Sequence, residues 1–146
     1  MQTSIVLNTL EDTEQMAEKI ASEIVGGQIL ALSGPVGAGK TTFAKLFAAA
    51  LGIEKTVLSP TYTLLQPYTL PKPIRGITTL IHIDAYRLES PAELSAIGFS
   101  DFTNDPSTVI LIEWAENISD LLANQSVIWM NLEIDGDIRI CKIKDR

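Results

Sequence analysis

The sequence predicts a single α/β domain over residues 1–146: a central mixed β-sheet flanked by helices and finished by a C-terminal β-hairpin. Three observations predict it. Short apolar runs bounded by turn residues (Gln28–Ser33, Thr78–Tyr86 and Val109–Trp114) have the pattern of strands buried on both faces. Segments with apolar residues at helical spacing flank the first of these runs. Near the C-terminus two alternating runs meet at Asp135-Gly136, a hairpin signal.

Each element has its own local reason. Ser4–Leu7 is a short apolar run that suits a strand. Asn8–Thr13 offers several capping residues, and Met16, Ile20, Ala21 and Ile24 place an amphipathic helix over Thr13–Val25, ended by Gly26-Gly27. Gln28–Ser33 leads into the glycine-rich Gly34–Gly39. A second helix over Lys40–Leu51 follows, with Phe43, Leu46, Phe47, Ala50 and Leu51 on one side and Gly52 as its stop. Val57–Leu70 reads as extended with breaks at Pro60 and Pro67. Ser90-Pro91-Ala92-Glu93 reads as a helix start, with Ser90 as N-cap, Pro91 at N1 and Glu93 at N3. Ser126–Ile134 and Asp137–Ile143 form the hairpin. There is no internal repeat, low-complexity tract or linker.

Composition narrows the function. With 46% hydrophobic and 20% charged residues, the chain has an ordinary globular balance. At 146 residues it fits one domain and leaves no room for a second, substrate-binding one. Its net charge of −7 and the lack of any lysine–arginine run argue against a direct grip on nucleic acid, which depends on neutralising phosphates. Cys141 is the single cysteine, so no internal disulfide forms. No run of about 18 apolar residues and no charged-then-apolar leader occurs, which predicts a cytoplasmic protein without membrane attachment.

Chemistry concentrates in Gly34-Pro35-Val36-Gly37-Ala38-Gly39-Lys40-Thr41, which satisfies G-x-x-x-x-G-K-[ST]. Glycines let the backbone curl so that several N–H groups face one concavity. Those groups and the positive end of the following helix bind phosphate oxygens. Pro35 has no N–H, so the donors come mainly from Gly37 to Thr41. Lys40 reaches the β- and γ-phosphates, and the Thr41 hydroxyl suits Mg²⁺. From average residue usage, a chance match in a chain of this length is on the order of 0.5%. The required context, strand before and helix after, is also present, so a P-loop NTPase fold is expected.

Such a loop needs an acid at a neighbouring strand end to hold Mg²⁺ or position water. Asp84 ends one apolar run and Glu113 another, at the edge where α/β folds bind ligands. Ser59-Pro60-Thr61 offers a hydroxyl on an extended segment, either a γ-phosphate sensor or a plain turn.

Together these residues resemble the TsaE family, the ATPase of bacterial tRNA threonylcarbamoyladenosine (t6A) synthesis. The resemblance rests on G-x-x-G-A-G-K-T-T at Gly34–Thr42, S-P-T-Y-T-L at Ser59–Leu64, H-x-D-x-Y-R-L at His82–Leu88 and I-E-W at Ile112–Trp114. It implies ATP and Mg²⁺ as cofactors, with nucleotide contacts from Gly34, Val36, Gly37, Ala38, Gly39, Lys40, Thr41 and Thr42. It further implies Thr41 and Glu113 as metal ligands, Asp84 and Lys40 in hydrolysis, and Thr61 in a switch-like loop. Thr13 is the expected residue near the adenine. The partners implied are TsaD and TsaB, which carry out transfer to adenosine 37, so tRNA is met only through the complex. Two departures stand out. Pro35-Val36 replaces a commoner acidic-Leu pair, and Ala115-Glu116 follows I-E-W where proline is frequent.

Other residues stay open at this level. His82, the only histidine, shares a strand face with Asp84 and either orients it or is a satisfied core histidine. Arg87 is an internal arginine finger, a salt-bridge residue or a partner contact. Trp114 is expected to point away from Glu113, into packing or a partner surface, and Cys141 reads as core. The competing functions are a small-molecule kinase on the same fold and a nucleotide-dependent binding module without turnover. The missing arginine-bearing lid counts against the first, and the intact Lys40, Thr41, Asp84 and Glu113 against the second. A GTPase lacks its N-K-x-D base-reading motif.

Overall fold

A computed structural model describes residues 2–54 and 64–145. Seven strands form one sheet: β1 (Gln2–Leu7), β2 (Ile29–Ser33), β3 (Leu65–Ile74), β4 (Ile77–Asp84), β5 (Thr108–Glu113), β6 (Val127–Asp135) and β7 (Ile138–Asp145). Their order is β1-β7-β6-β2-β5-β4-β3. The central four, β6, β2, β5 and β4, run parallel, while β1, β7 and β3 add antiparallel flanks. The mixed sheet and the hairpin at Asp135-Gly136 therefore stand as expected.

Strand alternation divides the core in two. Leu30, Leu32, Leu80, Leu111 and Met130 face helices α1 (Leu10–Glu23) and α2 (Lys40–Ala50), packing on Met16, Ala17, Phe43, Ala44 and Phe47. Ile29, Ala31, Ile81, Ile83, Ile110 and Ile112 face the other way. They pack on Leu94 of α3 (Ala92–Ala96), Phe99 of α4 (Phe99–Thr103), the 3₁₀ turn Ala115–Ile118 and Leu122 of α5 (Ser119–Leu122). With both faces covered, β2 and β5 read as continuous apolar runs rather than alternating ones.

Several boundaries differ from expectation for local reasons. Helix α1 starts at Leu10 rather than Thr13, because Thr9 and Asp12 form a reciprocal capping box. Its C-terminal carbonyls, Ala21 O and Ile24 O, each accept from the Arg75 guanidinium at 2.6 Å. Arg75 stands in the Arg75-Gly76 turn joining β3 to β4, where both residues have positive φ (47° and 81°), the twist a tight hairpin needs. That turn and the extension of β3 to Ile74 were not expected. Pro67, Pro71 and Pro73 discourage a strand, but β3 is the sheet's edge and its register slips between Thr69 and Ile74. Ser90 does not cap α3. Pro91 occupies the N-cap with no side-chain bond, and the Glu93 carboxylate accepts from the Glu89 N–H at 3.2 Å. Cys141 is buried, and burial pushes its thiol up to about 12, so it is inert core.

Candidate functional site

The parallel strands end together, and the residues that carry charge meet there. β2 delivers Gly34–Gly39, and α2 begins at once at Lys40. Gly34 cannot be another residue: a Cβ would stand 2.3 Å from the Leu132 carbonyl oxygen, and φ is +136°. Gly37 and Gly39 also have positive φ (82° and 104°), which curls the loop back over the helix. Gly39 is the N-cap and no side chain caps α2. Its first N–H groups thus have no side-chain competitor for an anion. The Ala38 N–H closes the loop's turn on the Pro35 carbonyl at 3.2 Å, and Val36 lies exposed at the tip.

Lys40 is only 6% exposed, yet its ammonium is well placed. It donates to the Gly34 and Pro35 carbonyls of its own loop and lies 4.0 Å from the centre of the Trp114 ring. Burial lowers its pKa, opposed by the nearby carboxylates of Glu116, Glu113 and Asp84.

Glu113 is the junction between loop and sheet. It is 2% exposed, accepts from the Thr41 hydroxyl at 2.8 Å through one oxygen and meets His82 Nε2 at 2.6 Å through the other. A carboxylate accepts, so the imidazole carries its proton on Nε2. His82 Nδ1 is buried and has no hydrogen-bond partner among the described residues. Of the two readings left open for His82, the structure gives a buried histidine bonded to Glu113 and not one that holds Asp84. His82 and Asp84 share a face, but Asp84 stands directly opposite Glu113 in the parallel register, and His82 reaches across to Glu113 instead.

Asp84 is half-buried at the end of β4, with one oxygen accepting the Tyr86 N–H at 3.0 Å. Burial holds its carboxyl above the usual range. The neighbouring Glu113 charge acts the same way, and the Tyr86 N–H, His82 and Arg87 oppose it. Arg87 is exposed and near enough to favour the charged aspartate.

Trp114 packs on the sheet face opposite Glu113, as expected, and also makes a contact that the expectation did not include. Its backbone turns left-handed (φ 59°, ψ 39°) immediately after β5, which brings the ring over Lys40 and against Tyr86, ring centres 4.9 Å apart.

Beside the loop lies a cleft of about 280 Å³ lined by Thr13, Gly37, Ala38, Gly39 and Thr42, together with Asn8, Thr9, Asp137 and Arg139. Thr13 and the loop thus share one cleft. Arg139, which the sequence reading passed over, donates to the Gly37 carbonyl at 3.3 Å. Its contact spans the chain from β7 back to the loop, so no local pattern could have flagged it. Thr61 and the rest of Ser59-Pro60-Thr61 lie outside the described residues.

The donor set suits a hard divalent cation. Thr41 and Glu113 bring only oxygens to one point, the donor chemistry that a cation such as Mg²⁺ would take.

Comparison with known proteins identifies the family. The family profile described as "Threonylcarbamoyl adenosine biosynthesis protein TsaE" matches residues 7–140. The tRNA threonylcarbamoyladenosine biosynthesis protein TsaE of Rickettsia felis is 37% identical over 141 residues, covering 95% of this chain and 78% of that one. The protein of the same name from Bacillus subtilis is 37% identical over 115 residues, covering 79% and 68%. Among solved structures, the crystal structure of Bacillus subtilis YdiB superposes with a TM-score of 0.75 at 29% identity, covering 99% of this chain and 86% of that one. The chain therefore belongs to the TsaE family of threonylcarbamoyladenosine biosynthesis proteins.

Proposed function

We propose that this family member is a Mg²⁺-dependent ATPase whose turnover serves repeated t6A transfer to tRNA by its partners TsaD and TsaB. The observation that carries the reading is the Thr41–Glu113 contact at 2.8 Å, which joins the loop's hydroxyl to a buried acid on the neighbouring parallel strand. A plain glycine-rich turn needs no such partner.

Each residue then has a task. Gly34, Val36, Gly37, Ala38, Gly39 and Thr42 belong to the loop that wraps the phosphates with backbone N–H groups. Lys40 neutralises the β- and γ-phosphate oxygens. Thr41 and Glu113 would hold Mg²⁺, which would supply charge neutralisation at the phosphate oxygens. Asp84 orients the attacking water and takes its proton as the new P–O bond forms and ADP departs. Its raised pKa brings it closer to neutral pH, where a base works best. His82 holds Glu113 in place, and outer partners of this kind tune metal affinity. Thr13 lies toward the adenine, and Thr61 follows the γ-phosphate, as the family's motif suggests.

The acidic chain leaves tRNA to its partners, since a −7 surface repels a phosphate backbone. Among the described residues no helix is long and apolar enough to cross a membrane, in keeping with work in the cytoplasm.

The test is an ATPase assay of this chain alone, then with TsaD, TsaB and tRNA. Slow turnover alone and a clear rise in the complex are expected. Fast hydrolysis by the isolated chain, or transfer of phosphate to a small metabolite, overturns the proposal.

A further inference from the structure

We propose that Trp114 is a positioning residue for Lys40, holding the ammonium in its phosphate-ready place before nucleotide arrives. The inference rests on the reading of Gly34–Thr41 as an ATP-binding loop and adds a residue to that site.

Backbone, ring and lysine agree. A bulky aromatic residue at φ 59° costs free energy, because its Cβ crowds the following carbonyl. Such strain persists where the surroundings hold it, commonly at functional sites. Here the strained turn sits directly after β5 and sets a ring that packs on the sheet face opposite Glu113 and still reaches Lys40. The ring lands 4.0 Å from Lys40 Nζ. It is held from its other neighbour by Tyr86, whose own N–H binds Asp84.

The lysine gains a fixed aim from this. An ammonium has three N–H donors. The Gly34 and Pro35 carbonyls engage the group from its own loop, and the Trp114 face covers a further flank. Lysine otherwise carries four flexible side-chain torsions into binding, and fixing them beforehand removes an entropy cost from nucleotide capture. The site is nearly closed to solvent around Lys40, so the attraction between cation and ring is little screened.

The experiment measures ATP affinity of the full chain by calorimetry with Mg²⁺ for Trp114→Phe, Trp114→Leu, Trp114→Ala and Lys40→Met. Phenylalanine and leucine both fill space, but only phenylalanine keeps a π face. Trp114→Phe is expected to stay within about 3-fold of the parent, and Trp114→Leu and Trp114→Ala to bind about 10-fold more weakly. Thermal melts confirm folding, and the Phe–Leu contrast stands even if the alanine variant does not fold. Equal affinities for the Phe and Leu variants overturn the proposal. Parent-like affinity in Lys40→Met instead overturns the ATP-loop reading beneath it, so the two failures are told apart.

Discussion

The carboxyl ends of β4 and β5 lie side by side in register, each carrying one acid, and the two acids live in opposite surroundings. Glu113 is buried between the Thr41 hydroxyl and the His82 ring. Asp84 is half-buried, with a backbone N–H on one oxygen and its carboxyl held above the usual range by burial. Equal position in the sheet thus yields two chemistries. A carboxylate tied to a loop hydroxyl and a histidine is suited to a fixed point of attachment. A looser one, its carboxyl pKa raised by burial, is suited to handling a proton.

Removing the fixed acid breaks the comparison most severely. Glu113→Ala leaves His82 buried without its acceptor and Thr41 without this oxygen. Loss of one partner in a buried network costs about 3 kcal/mol. Urea unfolding is expected to report that loss, and the remaining folded protein to have no Mg²⁺-dependent turnover. A stable variant with unchanged metal dependence sinks the assignment of Glu113.

Asp84→Asn should separate the two acids. Turnover is expected to fall on the order of 10²–10³-fold while ATP affinity stays within about 3-fold, because only the proton acceptor is lost. Stability should move the other way. The folded-state pKa is raised, so the native protein binds the proton more readily than the unfolded chain does. Stability therefore declines as pH rises through the folded pKa, and the neutral amide escapes that decline. A slightly higher Tm at pH 7 is expected. In the parent, the acid limb of turnover should lie above the ordinary aspartate value of 3.8. A variant that hydrolyses ATP at the parent rate removes Asp84 from the chemistry.

The same comparison explains what the sequence could tell. Gly34–Thr41 is one contiguous string, and its meaning survives without knowing the fold. Asp84 and Glu113 are each visible as the last residue of an apolar run. The His82–Glu113 contact was not visible, because it depends on the register between β4 and β5, separated by 31 positions in the chain. For Trp114 alternation gives the face correctly, but its contact with Lys40 was hidden, because it depends on a single left-handed residue after β5. Arg139 meets Gly37 across 102 positions, and proline-rich β3 needed its edge location to be plausible.

A milder change sharpens the role of β5. His82→Ala leaves both acids in place and removes the ring that orients Glu113. Metal affinity, read from Mg²⁺ titration of ATPase activity, is expected to weaken about 10-fold. The acid limb assigned to Asp84 should keep its shape. If the limb disappears while the Mg²⁺ requirement holds, His82 serves Asp84 after all.

The smallest expected effect lies at the other end of β5. Asp105 accepts from the Ser107 hydroxyl at 2.7 Å and the Ser107 N–H at 2.9 Å, and its second oxygen accepts from the Thr108 hydroxyl at 2.9 Å. These bonds, the Ser107 hydroxyl's first, hold its carboxyl below the ordinary 3.8. A depressed folded-state pKa stabilises the native protein above the unfolded value, and that contribution is lost as pH falls through the folded one. The turn is open to solvent, so Asp105→Ala should lower Tm only slightly at pH 7, and the difference should vanish in acid. Turnover per folded molecule should not change, because the same strand that anchors the site at Glu113 is merely started at Asp105. A loss of turnover comparable to that of Asp84→Asn would mean that the two ends of β5 are coupled, and that the chemistry is not confined to the edge where the parallel strands end.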